Sequence, residues 1–239
     1  MAEDLSLELK YQHPWPSSRP DAYAHQEEVA ARVDLYGNTI APSLIAAVDT
    51  AYGHGGEYLF AVAVVLSFPG LEEVERSHHQ APVEFLYHPG LFYYREGPVI
   101  VGALTRLQAD PDLIIINGHG VAHPRRCGMA CHIGVDFDKP SIGCARKLLV
   151  GRHRPVDSAR GSAQPIMYRE REIGLAYRSR ESVKPIFISV GHKCDLAYAR
   201  DIIVGCLCGF RLPEPLRLAH LLANKHKRYI EKGENQKTT

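Results

Sequence analysis

The chain has 239 residues, of which 45% are hydrophobic, 23% charged and 8% aromatic. This composition is typical of a folded globular protein and excludes a disordered, collagen-like or coiled-coil chain. The formal net charge of +1 argues, taken alone, against a polyanionic partner. However, residues 1–100 carry 5 Lys and Arg against 14 Asp and Glu, whereas the remainder carries 23 against 13. This asymmetry predicts a basic surface built by the second part of the chain.

The start of the chain is acidic and lacks the apolar stretch of a signal peptide, so we expect a cytoplasmic protein. The strongest apolar runs, residues 59–66 and 202–207, are well short of the ~20 residues that a membrane-spanning helix needs. Six cysteines in a chain of this length are expected to be reduced thiols. We therefore predict a monomer without a membrane partner.

Hydrophobic periodicity predicts one α/β domain over residues 21–224, after an N-terminal extension (1–20) and before a polar C-terminal tail (225–239). Strands are predicted at residues 43–52, 57–68, 71–80, 112–117, 141–144 and 184–190, and helices at 21–34, 98–109, up to about 134, and 194–208. The first two strands form a hairpin, and Pro98 favours the first position of its helix. Antiparallel strands followed by alternating helices and strands indicate a single mixed sheet.

Four polar side chains lie at the ends of predicted elements: Asp49, Glu96, Asn117 and His192. In α/β sheets, polar residues at the carboxyl ends of strands tend to line the working crevice. Two carboxylates, an amide and an imidazole suit Mg²⁺ in phosphodiester hydrolysis. Spacing alone leaves the alternative that Asp49 is simply satisfied by a turn.

Four segments then resemble one enzyme family. They are Val-Asp-Thr-Ala-Tyr (48–52), Tyr-His-Pro-Gly-Leu-Phe-Tyr-Tyr-Arg-Glu (87–96), Asn-Gly-His-Gly-Val-Ala-His-Pro-Arg-Arg (117–126) and Ser-Val-Gly-His-Lys (189–193). Residues 140–147 and 209–217 support the match. In this order the segments look like the signature of endonuclease V, the nuclease that acts at deaminated adenine, and the resemblance covers about residues 20–220.

The resemblance implies a ribonuclease-H-like fold, a mixed five-stranded sheet with flanking helices. It also implies dependence on Mg²⁺, with Mn²⁺ as a substitute, and a partner that is inosine-containing DNA, or RNA. Cleavage is expected at the second phosphodiester 3′ to the lesion, leaving 3′-hydroxyl and 5′-phosphate ends. By resemblance, Asp49 and Glu96 match metal-binding carboxylates and His192 the catalytic histidine.

By the same resemblance, Tyr87 matches a wedge whose ring fills the gap when the base leaves the stack. A packed aromatic loop is the structural alternative for Tyr87. The lesion pocket is expected to include Pro89, Gly90, Gly118, His119 and Gly120. Strand phosphates are expected to be contacted by His123, Arg125, Arg126 and Lys147.

The sequence departs from the family pattern at three places. Asn117 stands where the family has an aspartate that binds the metal, which leaves one carbonyl oxygen and removes a charge. Such an exchange is also the smallest edit that traps a substrate uncut, so an engineered change and a natural variant both remain open. Leu86-Tyr-His-Pro stands where the family usually has Pro-Tyr-Ile-Pro. Without the first proline, the loop that carries Tyr87, which we call the wedge loop, is expected to be less rigid. Arg146 replaces a lysine near the active site, so a planar guanidinium replaces the compact charge of an ammonium group.

Three further interpretations stay open. Asp195 either compensates for the missing carboxylate or caps a helix. His119, His123, Cys127 and Cys131 recur every four residues and, in a continuous helix, would form a zinc-binding module. A catalytically inactive inosine-binding protein is the third, because Asn117 is expected to leave binding intact and cleavage poor.

Residues 119–160 carry eight Lys and Arg against three Asp and Glu, so the basic surface is expected there. Binding to inosine-containing strands should therefore weaken steeply as salt rises, because each phosphate contact releases counterions. Titrations at increasing salt concentration measure this slope. Salt-insensitive binding would contradict the prediction.

Overall fold

Eight strands form one sheet in the computed structural model, which describes residues 7–37 and 40–235. The strand order is β3-β2-β1-β4-β5-β8-β7-β6. The strands are β1 (Leu44–Gly53), β2 (Tyr58–Ser67), β3 (Glu73–Pro82), β4 (Leu113–Ile116), β5 (Ser141–Ala145), β6 (Ala163–Tyr168), β7 (Arg171–Tyr177) and β8 (Ile186–His192). The helices are α1 (Arg19–Arg32), α2 (Phe92–Leu104), α3 (Met129–Phe137), α4 (Leu196–Gly205) and α5 (Glu214–Asn235).

The central strand β1 pairs antiparallel with β2 and parallel with β4. Strand β5 is parallel to β4, and β8 then runs antiparallel to β5. Because side chains alternate along a strand, Ala47 and Ala51 join the core cluster that includes Leu216 and Ala219 of α5. Ala46 and Val48 face the cluster that includes α2 and α3. The sheet is thus covered by helices on both faces.

The resemblance implies five strands and the sequence pattern predicts six, including β8, whereas the described sheet has eight. The row β3-β2-β1-β4-β5 matches the expected mixed core, and β8, β7 and β6 extend it on one side. Sequence patterns missed the β6–β7 hairpin for two physical reasons. Pro165 lies inside β6, where proline argues against a central strand. The two-residue turn is Arg169-Glu170, both at positive φ, where Asn-Gly is the usual signal.

Two other boundaries are corrected. Helix α2 begins at Phe92, so Pro98 lies inside it, where its missing N–H would have bonded to the carbonyl of Tyr94. Residues 225–235 of the predicted polar tail continue α5, because Leu216, Ala219 and Ala223 recur at helical spacing and are fully buried against the sheet. Residues 1–6 of the predicted extension and 236–239 of the predicted tail lie outside the described residues.

The remainder of the N-terminal extension packs on the domain. The backbone N–H groups of Lys10 and Tyr11 donate to the carbonyl of Asp136 at the end of α3. His13 Nε2 lies 2.9 Å from the hydroxyl of Tyr93. Within the described ranges, no helix is long and apolar enough to cross a membrane.

Candidate active site

The register of two parallel strands brings Asp49 and Asn117 together. Val48 pairs with Ile116, so the next residue of β1 and the residue that follows β4 are neighbours at one edge of the sheet. Asn117 Nδ2 donates to Asp49 Oδ1 at 3.0 Å. The predicted juxtaposition of these two side chains is therefore present.

A residue that sequence reasoning missed completes the surroundings of Asp49. His220 Nδ1 donates to Asp49 Oδ2 at 2.7 Å. His220 lies four residues after the fully buried Leu216, so it is on the sheet-facing side of α5. The signal was available, because a histidine on an apolar helix face directly follows the 209–217 segment. Both carboxylate oxygens of Asp49 thus accept hydrogen bonds.

Glu96 reaches the site from the opposite helix layer. It lies on α2 and is 7% exposed. Burial, together with the negative charge of Asp49, raises the pKa of Glu96 to about 7, against hydrogen bonds from Tyr52 and Thr50 that lower it. The influence of Asp49 on this pKa indicates that the two carboxyl groups are close in space. A cation between them would relieve this repulsion.

The prediction that His192 joins this group is wrong. Strand β8 is antiparallel to β5, so its carboxyl end lies beside Ser141, the first residue of β5, at the edge opposite Asp49 and Asn117. The rule about carboxyl ends applies only to strands that run in the same direction. His192 Nδ1 instead accepts from the backbone N–H of Asp34 at 3.1 Å, and its Nε2 lies 3.7 Å from Asp138. Its contacts are those of a structural residue.

A cavity of about 340 Å³ opens beside the strand ends. Its lining includes the predicted pocket residues Tyr87, Pro89, Gly90, Gly118 and His119. Asn117 also lines the cavity, and its side chain hydrogen-bonds Asp49. It therefore connects the cavity to the Asp49 carboxylate.

Tyr87 projects from the aromatic loop into solvent. It is 65% exposed and contacts Phe92 edge-on at 6.1 Å between ring centroids. Its neighbours Phe85, Tyr93 and Tyr94 are buried, so the alternative of a packed aromatic loop is right for them and wrong for Tyr87. An exposed ring at the mouth of a cavity is placed as a wedge would be.

The two positions of the Gly-His-Gly loop are occupied by glycine for different structural reasons. A Cβ at Gly120 would lie 1.8 Å from the carbonyl oxygen of Val190, so this glycine is required by backbone packing. Gly120 does not line the cavity, which corrects its expected place in the pocket. A Cβ at Gly118 would meet only ordinary contacts at 3.5 and 3.6 Å, so protein packing does not require glycine there. Gly118 lines the cavity.

Two histidines of the loop have lowered pKa values, His123 being buried and His119 half-buried. Burial and the charge of Arg125 lower the pKa of His123 to about 3, so His123 is neutral. It lines the cavity and does not supply a positive charge to strand phosphates. Burial also lowers the pKa of His119. His119 Nε2 donates to the carbonyl of Lys147 at 2.9 Å, which leaves Nδ1 as an acceptor. This buried Nδ1 has no partner among the described residues.

Arg125 also differs from its expected role, because it holds the wedge loop. Its Nη2 donates to the carbonyl of Gly90 at 2.9 Å, and its Nε donates to Gln26 Oε1. Its guanidinium lies 4.4 Å from the ring centroid of Tyr23 on α1. Gln26 Nε2 in turn donates to Gly90 and Cys127. This arrangement anchors the loop that the missing proline would otherwise leave relaxed.

The remaining predicted cations are more accessible. Arg146 and Lys147 directly follow β5 and are exposed, whereas Arg126 is half-buried. Arg146 and Lys147 therefore lie at the same sheet edge as Asn117, because Ile116 pairs with Gly143.

Two open interpretations are decided by the helix boundaries. Asp195 is the N-cap of α4, and its side chain accepts from the backbone N–H of Tyr198 at 2.8 Å. The zinc-binding helix is excluded because α3 begins only at Met129, so His119, His123 and Cys127 precede it. In residues 7–37 and 40–235, no three His, Cys, Asp or Glu side chains are arranged to hold a metal ion.

Comparisons with known proteins agree with this arrangement. The family model described as Endonuclease V matches residues 27–221. Endonuclease V of Roseiflexus castenholzii is 40% identical over 216 residues, covering 89% of this chain and 95% of that protein. The crystal structure of endonuclease V from Streptomyces avermitilis has a TM-score of 0.87 and 35% identity, covering 95% of this chain and 99% of that one. Ciona intestinalis endonuclease V, solved in complex with a 24mer DNA containing an inosine followed by a ribo-adenosine, has a TM-score of 0.78 and 25% identity, covering 88% and 98%.

Fold and site together define a nuclease class with a ribonuclease-H-like sheet that cleaves phosphodiester bonds. The family match covers most of the chain. The chain therefore belongs to the endonuclease V family.

The contacts of Arg125 predict a stability effect that Arg126 lacks. Replacing Arg125 by Met removes donors to Gly90 and Gln26, so we expect a loss of about 1–3 kcal/mol in the free energy of unfolding. Arg126→Met is the matched control, with an expected change within about 0.5 kcal/mol. Urea unfolding measures both values. Equal values for the two variants would show that Arg125 does not anchor the loop.

Proposed function

We propose that the chain is a metal-dependent endonuclease that recognises (deoxy)inosine in DNA and hydrolyses the second phosphodiester 3′ to it, leaving 3′-hydroxyl and 5′-phosphate ends. The observation that carries this proposal is the shared position of Asn117, which lines the cavity and hydrogen-bonds Asp49. A base seated in the cavity therefore brings the backbone of its own strand to the carboxylates.

Tyr87 and the cavity supply the recognition. A base extruded from the stack leaves a gap that the exposed ring of Tyr87 fills, offsetting part of the cost of unstacking. His119 lines the cavity, so its ring contacts the base seated there. Gly118 lets the base approach the backbone closely, because it has no Cβ.

The donor set fits a hard divalent cation, with reduced affinity. Asp49 and Glu96 provide carboxylate oxygens and Asn117 provides one neutral carbonyl oxygen, the ligand types that Mg²⁺ and Mn²⁺ prefer. With two negatively charged ligands in place of three, the affinity of the site for the cation is lower. When bound, the metal activates water and neutralises the phosphate.

The chain's own residues prepare the site. His220 fixes the orientation of Asp49, and Tyr52 and Thr50 favour the ionised form of Glu96 by hydrogen bonding. We assign the role of catalytic histidine, expected of His192, to His220, which would orient the attacking water or assist the departing oxygen. Arg146 and Lys147 neutralise phosphates on the same sheet edge.

A second candidate is an inosine-binding protein without cleavage activity. One observation favours it: donors from Asn117 and His220 satisfy both oxygens of Asp49 without a cation. An aspartate at position 117 would instead face Asp49 with like charge and draw in a metal.

Restoring the carboxylate separates the two candidates. We expect Asn117→Asp to raise Mg²⁺-dependent nicking of inosine-containing strands by at least tenfold, because a third charge strengthens metal binding. The assay compares both proteins on inosine DNA and inosine RNA with Mg²⁺ and with Mn²⁺. Asn117→Ser serves as a neutral control. Equal nicking by the original chain and Asn117→Asp would contradict the assigned role of position 117.

Replacing each histidine tests their exchanged roles. In the Asn117→Asp background, we expect His220→Ala to lower the cleavage rate by about 10²-fold or more, because proton transfer and the orientation of Asp49 are lost. We expect His192→Ala to leave the rate of the folded protein unchanged but to lower stability by about 1–3 kcal/mol, because the N–H of Asp34 loses its acceptor. Single-turnover cleavage and urea unfolding provide the two readouts. The assignment is wrong if His192→Ala removes cleavage and His220→Ala does not.

A further inference from the structure

The strongest unexplained basic surface lies at the outer edge of the sheet, far from the cavity of the candidate active site. We call it the edge groove. It is a cleft of about 810 Å³ between the segment 151–154 and the β6–β7 hairpin. It is lined by Gly151, Arg152, His153, Arg154, Gln164, Pro165, Met167, Tyr168, Arg169 and Glu170.

The charges of the edge groove are not neutralised by the protein. Arg152, Arg154 and Arg169 are exposed and form no ion pair within the described part of the chain. Glu170 is the single carboxylate among the lining residues, so the lining has an excess of positive charge. Unpaired guanidinium groups in a concave surface attract polyanions, and their planar forks match phosphate oxygens.

The edge groove also offers apolar surface beside these charges. Met167 is exposed, Tyr168 is half-buried, and the guanidinium of Arg169 lies 5.2 Å from the ring centroid of Tyr168. Arginines that track a backbone, together with aromatic or apolar surfaces for bases, are the features of sites that bind single strands.

The sheet connects the edge groove to the candidate active site. The row of paired residues through Asp49 and Asn117 continues by register to Pro165 in the edge groove. That row passes through Cys144, Ile188, Leu175 and Pro165. Five strand spacings of about 4.8 Å separate β1 from β6, roughly 24 Å along the sheet. At about 3.4 Å per stacked nucleotide, this equals roughly seven nucleotides.

We propose that the edge groove binds the sugar–phosphate backbone of the nucleic-acid strand whose inosine occupies the cavity, at a distance of several nucleotides from it. The inference rests on the proposed function, because that function places the strand beside Asn117, whose row of paired residues leads across the sheet to Pro165. It also assigns part of the predicted basic stretch 119–160, Arg152 and Arg154, to the edge groove, together with Arg169 from outside that stretch.

The test measures the binding of inosine-containing strands of different length in the absence of divalent metal. One strand has about three nucleotides on each side of the inosine, too few to span the distance, and two others are extended by about twelve on the 5′ or the 3′ side. The variant is Arg152→Gln with Arg154→Gln. The control is Arg76→Gln, an exposed arginine on β3 at the opposite edge of the sheet.

We expect the double variant to weaken binding of one extended strand on the order of tenfold and to lower its salt slope by about 1.4, because two single-strand phosphate contacts are lost. Binding of the short strand should not change, and Arg76→Gln should change neither. Arg169→Gly provides a second check. Glycine suits the positive φ of 48° at this position, so this variant should fold at least as stably while binding the extended strand less tightly.

The proposal is overturned if the double variant binds all three strands as the original chain does, or if it weakens the short strand equally. It is also overturned if polyglutamate of equal charge displaces the extended strand as well as an inosine-free strand does. Failure of the proposed function is distinguishable, because it would show as equal binding of inosine and adenine in the short strand.

Discussion

The parallel pairing of β1 with β4 is the constraint on which the site depends. Its register, Val48 opposite Ile116, places Asp49 of β1 beside Asn117, which directly follows the last residue of β4. A slip by one residue would turn Asp49 to the other face of the sheet, away from His220. Because residues on both sides of Asp49 are buried core of two different helix layers, this register is strongly determined. The site is therefore as rigid as the core itself.

Electrostatics at this edge are organised around a buried negative charge. Taking a carboxylate out of water is costly unless it is paired or hydrogen-bonded, and Asp49 has two donors. Glu96 accepts hydrogen bonds from Tyr52 and Thr50, but burial outweighs them and raises its pKa to about 7. The amide of Asn117 thus compensates the charge of Asp49 without a cation, whereas a carboxylate at this position would require one.

The positive charges show why position in the fold matters more than their number. The guanidinium of Arg125 contacts Gly90, Gln26 and Tyr23, so it stabilises the wedge loop. His123 is buried and neutral. Exposed cations occur both beside the candidate active site, at Arg146 and Lys147, and in the edge groove, at Arg152, Arg154 and Arg169. A charge count over a stretch of sequence cannot distinguish these cases, because it contains no information about burial.

The sequence by itself determined the α/β class, the strands β1 to β5 and β8, the family, and the cavity residues Tyr87, Pro89, Gly90, Gly118 and His119. It could do so because apolar periodicity and short motifs are local properties. It also placed Asp49 and Asn117 together, because they lie on strands that run in the same direction. Only the tertiary structure decided that His220 belongs to the site and His192 does not, since that choice depends on the antiparallel direction of β8 and on the packing of α5. Likewise, the β6–β7 hairpin contradicts local turn and proline preferences, so only pairing with β8 fixes it in the sheet.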